Sequence, residues 1–243
     1  MTNRFYAKGE KRAARVGELF AAIATRYDLL NDVQSLGLHR VWKRRLVALS
    51  GLTRGDSALD VCCGTGDITF RLSRRGASVI GLDFSDPMLD VARQRGAGSA
   101  STRFLEGDAM KLPFDDALFA AVTVCYGLRN LEDWRIGLAE MVRVARPGGR
   151  VLVLDFGKPG NRVLRKLYFL YLRLMVPLFG LLFCGNASAY AYILESLHHY
   201  PAQTGVAAAM GELGLHQVEI HNLLGGMMSI NTGVKVVAKP GVA

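Results

Sequence analysis

The chain has four cysteines, Cys62, Cys63, Cys125 and Cys184, but no CxxC pair and no Cys/His ligand spacing. That lack excludes a zinc site of ordinary spacing and a disulfide framework, and reduced thiols are the expected state. The basic start "MTNRFYAKGEKRAARVGELF" contains no apolar h-region, so it does not read as a secretory signal, and twin-arginine, lipidation and retention signals are missing too. No internal period is visible, which excludes a repeat array. The apolar stretch from Leu174 to Cys184 is too short to span a bilayer, and Arg173 and Pro177 interrupt the longer one.

What is present is a core-forming composition: half of the 243 residues are hydrophobic, enough for one well-buried domain with a small appendage. The formal charge of +9 is concentrated. Residues 1–49 hold ten Lys/Arg against four Asp/Glu, and residues 158–173 hold five against none. The remainder sums to −2, so the excess describes a basic face rather than a uniformly basic chain.

Two helices are expected over 10–49, where Val16, Leu19, Phe20 and Ile23 recur at helical spacing. From residue 57 short apolar strands alternate with helices. "SALDVCC" is followed by "DITFRLSRR", and "ASVIGLD" by "SDPMLDVARQR", with Ser85 as N-cap and Pro87 in the first turn. "TRFLEGD" and "FAAVTVCY" are further strands, then "EDWRIGLAEMVRVA" is a helix, and "RVLVLDF" is a strand after an "RPGG" turn. That alternation predicts a parallel sheet covered on both faces. The tail differs: "LHQVEIHNLL" and "SINTGVKVVAK", joined by "GGMM", predict an antiparallel hairpin. The expected organisation is a helical cap over 1–50 and a main domain over 51–243, with a lid inserted at about 158–200.

"LDVCCGTGDITFRL" (59–72) is a strand breaking into a glycine turn and resuming as a helix. Gly64 and Gly66 allow a backbone to approach a ligand closely. A dinucleotide turn needs a third glycine, but Thr69 stands there. Asp67 opens the helix where a pyrophosphate would need positive potential. A nucleoside bearing a cation fits better, and S-adenosylmethionine meets that description. Asp83, 19 residues past Gly64, is placed to accept from both ribose hydroxyls. Asp108 can accept from the adenine amine while the Ala109 amide meets a ring nitrogen. Asp60, Asp83 and Asp108 close three successive strands, which a plain structural turn would not require.

"IATRYDLLNDVQSLGLHRVWKR", "DVCCGTGD", "VCYGLRN" and "YAYILESLHHYP" resemble the ubiquinone/menaquinone-biosynthesis C-methyltransferases, over about residues 16–238. The resemblance implies a class I S-adenosylmethionine-dependent fold, a mostly parallel seven-stranded sheet ending in an antiparallel hairpin. It implies that Thr65, Asp83, Asp108 and Ala109 contact the cofactor and that Cys125 holds a position often occupied by serine. Cys62 and Cys63 depart from the family's usual small residues and resemble the photosynthetic-type subgroup; they are expected as small thiols under the loop. The implied reaction is C-methylation of a demethylated prenyl quinol, demethylmenaquinol foremost, with a benzoquinol or a phytyl-naphthoquinol as the alternatives.

Such chemistry requires a reduced ring, because a quinone carbon is electrophilic. Loss or polarisation of a phenolic proton pushes electron density onto the neighbouring carbon, and alignment supplies up to about 7–11 kcal/mol. Arg129 is expected to stabilise the developing phenolate, directly or through water, and Asn130 to orient a hydroxyl; a structural salt bridge is the competing role for Arg129. A histidine such as His39 in the entry helix reads first as a structural hydrogen-bonder, His198 and His199 are candidate bases without rank, and Tyr27 reads first as a packed aromatic.

The leucine- and aromatic-rich stretch 162–184, flanked by Arg162, Arg165, Lys166 and Arg173, suits a helix at a lipid surface or a buried lid over the site. Peripheral contact with the inner face of the membrane from the cytoplasm follows as an expectation, as do no nucleic-acid partner and no metal, while a homo-oligomer stays an open alternative. A nucleic-acid methyltransferase is disfavoured because "CYGLRN" stands where a base-stacking "NPPY" would be. O-methylation of a phenol and a non-enzymatic cofactor-binding or membrane-adaptor role stay open.

Overall fold

The structure, a computed structural model, describes residue 32 and residues 35–184, 196, 197 and 199–237, with the backbone alone over 175–184. Tyr27, His198, the Cys184 side chain and the first helix expected over 10–49 lie outside the described residues.

Seven strands form one sheet in the order β3-β2-β1-β4-β5-β7-β6. β1 (Ser57–Val61), β2 (Ser78–Asp83), β3 (Thr102–Glu106), β4 (Phe119–Cys125) and β5 (Ala145–Phe156) are mutually parallel. β6 (Leu215–Leu223) and β7 (Met228–Lys235) form the antiparallel hairpin, and β7 lies between β5 and β6. The central strands read as unbroken apolar runs because both faces are covered. On one face α4 (Trp134–Val144) and α6 (Ala202–Glu212) bury Leu138, Met141, Val206 and Met210. On the other, α1 (Leu38–Leu49) and α2 (Asp67–Ser73) bury Leu46, Val47, Ile68 and Leu72. α3 (Asp86–Arg95) follows β2, and α5 (Arg162–Cys184) follows β5.

One local expectation is met in position only, and two are corrected. Ser85 occupies the N-cap of α3 without capping through its side chain; Asp83 Oδ1 instead accepts from the Ser85 amide at 3.0 Å. "RPGG" is not a turn before β5 but a bulge within it. Ala145 pairs with Phe119 and Arg150 with Ala121, so four residues of β5 face one of β4. β1 ends at Val61, which leaves Cys62 in the turn at φ 55°. Asp133, which was not singled out from sequence, caps α4: its carboxylate accepts from the amides of Arg135 and Ile136.

The strand order reverses beside β1, between β2 and β4, and there the carboxyl ends leave a crevice.

A candidate cofactor and methyl-transfer site

A cleft of about 260 Å³ opens at that switch point, lined by the turns after β1, β2, β3 and β4. Gly64 lies at its floor with φ 54°, and a Cβ there would meet nothing within 4 Å. Gly66, also left-handed at φ 82°, serves a different need: a Cβ would stand 2.9 Å from Phe104 and Phe70, whose rings pack edge to face behind the loop. Of the two glycines expected to allow a close approach, Gly64 lines the cleft and Gly66 does not. Thr65 is buried and off the lining, with its carbonyl accepting from Arg95 at 3.0 Å. Its expected contact with the cofactor is not part of this cleft wall.

Asp83 is buried at the end of β2 and lines the cleft. One carboxylate oxygen accepts the Gly64 amide at 2.8 Å and the other the Ser85 amide at 3.0 Å. Each oxygen keeps a second lone pair, so two ribose hydroxyls still have acceptors. Burial pushes this carboxyl above the usual range, opposed by those amides. Asp108 and Ala109 line the cleft at the end of β3, where Asp108 Oδ1 accepts the Met110 amide at 2.8 Å. Phe84, Met88, Met110 and Glu132 complete much of the wall. None was singled out from sequence, although Phe84 directly follows the acidic residue that marks the ribose end.

Cys62 and Cys125 also face the cleft, so the thiol expected under the loop at Cys62 is partly a wall residue. Burial raises all three described thiols, and Asp83, Asp60, Asp155 and Asp108 raise Cys62 further. These are protonated, unreactive thiols, and among the described residues no group of side chains is arranged to hold a metal ion.

Asp60 does not reach the cleft. It lies beneath the turn, accepting from Thr69 Oγ1 at 2.7 Å and Thr123 Oγ1 at 2.9 Å, and burial lifts its pKa to about 7. An acid raised from 3.8 to about 7 on folding binds more protons in the native state between those values. Its contribution to stability therefore falls as pH rises from about 4 to 7 and is flat above. Asp60→Asn is expected to remove that loss, so its melting temperature gains on wild type between pH 5 and pH 8. A pH-independent difference in melting temperature would contradict the assignment.

At the helix start, Asp67 pairs with Lys43 of α1 at 2.8 Å and with Arg71 at 3.0 Å. Both cations hold its carboxyl below the usual range against burial. An ionised acid at this position disfavours a phosphate ligand.

The segment after β4 forms a hook. Tyr126 takes a left-handed conformation, φ 62°, which costs a non-glycine residue about 1–3 kcal/mol and persists only where surroundings enforce it. Gly127 is pressed onto the first turn: a Cβ would lie 2.4 Å from that of Cys62. Asn130 lines the cleft and donates to the Tyr126 carbonyl at 3.1 Å. Arg129, expected to meet a phenolate, is off the lining and 7 % exposed. Its Nη1 lies 2.7 Å from Asp155 Oδ1 and 2.6 Å from the Tyr126 carbonyl. The salt-bridge role weighed for Arg129 is thus the geometry observed, and Asp155, at the end of "LDF", is the partner that sequence reasoning missed. His39 is buried away from the cleft, its Nδ1 2.9 Å from Ser35 Oγ, and exposed His199 is not in the wall either.

An acid-rimmed cleft in a basic chain, a phosphate-averse glycine turn and this seven-stranded order define a class I S-adenosylmethionine-dependent methyltransferase. Solved structures share the fold. A chain from the complex between the Haloferax volcanii Trm112 methyltransferase activator and a methyltransferase superposes with TM-score 0.64 at 19 % identity, over 90 % of this chain and 98 % of that one. A Methanococcus maripaludis S-adenosyl-L-methionine-dependent methyltransferase gives 0.62 at 18 %, over 92 % and 96 %.

The ubiE/COQ5 methyltransferase family matches residues 8–235, and the chain belongs to that family. It is 41 % identical over 231 residues to the ubiquinone/menaquinone biosynthesis C-methyltransferase UbiE of Azotobacter vinelandii, spanning 93 % of this chain and 91 % of that protein. The Cellvibrio japonicus UbiE is 40 % identical, with 93 % of each chain covered.

Proposed function

We propose that this methyltransferase acts on a ring carbon of a demethylated prenyl quinol, with demethylmenaquinol as its acceptor. The observation that carries the reading is the join of an acid-rimmed nucleoside cleft to the Tyr126–Asn130 hook, in a chain 41 % identical to a quinone-biosynthesis C-methyltransferase.

When bound, S-adenosylmethionine supplies an electrophilic methyl on a positively charged sulfur. Asp83 would hold its ribose and Asp108 with Ala109 its adenine, while the surrounding carboxylates favour the cation. Leu82, Leu131, Met88 and Met110 give the wall an apolar character that excludes water from the reacting pair. The Asn130 carboxamide, on the acceptor side, orients a ring hydroxyl so that its electron density falls on the adjacent carbon. Arg129 acts from behind the hook, paired to Asp155. The choice of head group is tested by kcat/KM for reduced demethylmenaquinol against a reduced demethylated benzoquinol with labelled cofactor. A preference of tenfold or more for the naphthoquinol is expected, and the reverse preference would assign the enzyme to benzoquinols.

A prenylated acceptor stays in a bilayer, so the enzyme must meet the surface. Among the described residues no helix is long and apolar enough to cross a membrane. α5 instead exposes Val163, Leu167, Leu170, Tyr171 and Leu174, one face at helical spacing. Arg162, Arg165, Lys166 and Arg173 are exposed beside it. Basic residues near an anionic surface contribute about 1 kcal/mol each, and the apolar stripe adds a shallow anchor. Co-sedimentation with anionic liposomes is expected at low salt, weakening as salt rises. Arg165→Glu, Lys166→Glu and Arg173→Glu together are expected to reduce it further while activity on a short-tailed soluble quinol persists. A wild type indifferent to anionic vesicles at low salt contradicts the membrane reading.

A further inference from the structure

The hook that carries Asn130 has a backbone that its own sequence does not favour. Tyr126 lies in the left-handed region, and two side-chain donors, Arg129 Nη1 and Asn130 Nδ2, converge on its carbonyl. Those bonds stay within the hook. Its attachment to the next strand runs through the Tyr126 amide, which meets the Leu154 carbonyl at 2.8 Å, and through Asp155. Asp155 Oδ1 accepts Arg129 Nη1 at 2.7 Å and the Phe156 amide at 2.8 Å, while Oδ2 accepts the Arg129 amide at 3.3 Å. One carboxylate thus grips both the main chain and the side chain of Arg129. The guanidinium also lies over the Phe156 ring, 4.7 Å from its centre. Asp155 is 2 % exposed and is not part of the cleft wall, so it acts on the site only through what it holds.

We propose that Asp155 is a positioning residue for methyl transfer: through Arg129 it locks Tyr126 in its left-handed conformation and so fixes Asn130 at the acceptor side of the cleft. The proposal rests on the quinol reading for its turnover assay alone. It also assigns Arg129 a geometric task, in which the planar guanidinium lying over the Phe156 ring matters as well as its charge. Lysine supplies the charge without that plane.

The test uses the full-length enzyme carrying Arg129→Met with Asp155→Leu, an apolar pair that avoids leaving one buried charge alone. The double variant is expected to melt near wild type and bind S-adenosylmethionine within twofold of it, because Asp83 and Asp108 are untouched. Turnover at saturating quinol is expected to fall at least tenfold. Adding Asn130→Ala is expected to lower it less than twofold further, since residues that act as one unit are not additive. Arg129→Lys is expected to lose turnover at least tenfold. A crystal structure of the double variant is expected to show Tyr126 out of the left-handed region. Turnover within threefold of wild type in either variant overturns the proposal, and so does an unchanged hook in the crystal. A tenfold loss of cofactor affinity with normal turnover also overturns it. If the wild type methylates no quinol, the acceptor reading fails and the crystal structure alone decides the positioning role.

Discussion

Asp83→Ala is expected to weaken S-adenosylmethionine binding at least tenfold. Each hydroxyl bond to a charged acceptor is worth about 1.5–3 kcal/mol, and every 1.4 kcal/mol is about tenfold in affinity. The substitution also strips the Gly64 and Ser85 amides of the acceptors they meet at 2.8 and 3.0 Å, which loosens the floor of the cleft. Asp83→Asn does not rescue, because its NH2 would face one of those two donors. Isothermal calorimetry reads the effect directly, and an unchanged dissociation constant removes Asp83 from the site.

Arg129→Ala has the largest expected effect on stability. It leaves Asp155, 2 % exposed, as a buried charge without its guanidinium partner. Breaking such a pair costs about 3–5 kcal/mol. In a chain of this size each kcal/mol moves the melting temperature by about 2–4 °C, so a drop of roughly 6–20 °C is expected. Assayed well below that temperature, the variant should bind cofactor normally and turn over more slowly. A melting temperature within 2 °C of wild type would reduce the pair to the worth of an exposed ion pair. Weaker cofactor binding with normal turnover would move Arg129 to the cofactor side.

The fold was legible because it rests on local signals. Apolar runs of strand length, their alternation with helical patterns and the helix-free link in the tail each reflect nearest-neighbour physics, and together they give the parallel sheet with its terminal hairpin. The place of Asp83, Asp108, Ala109 and Asn130 in the cleft wall was legible for a related reason, since residues at strand ends in an α/β sheet face the crevice. The bulge at Arg146–Gly149 was hidden because proline and two glycines mark a turn and a bulge alike. The fate of Arg129 was hidden because it depends on a partner 26 residues away on the next strand. Gly66 shows the same limit. Its place in the turn was readable, but the packing of Phe70 against Phe104 that fills the space beside it is long-range.

The central claim is that the cleft and the hook together place a methyl on carbon. The most direct measurement incubates the pure enzyme with carbon-13 methyl-labelled S-adenosylmethionine and reduced demethylmenaquinol, then locates the label in the product by NMR. The predicted result is a ring-methyl resonance that replaces the ring C–H signal. A label found on a phenolic oxygen, or cofactor bound without any methylated quinol, would contradict it.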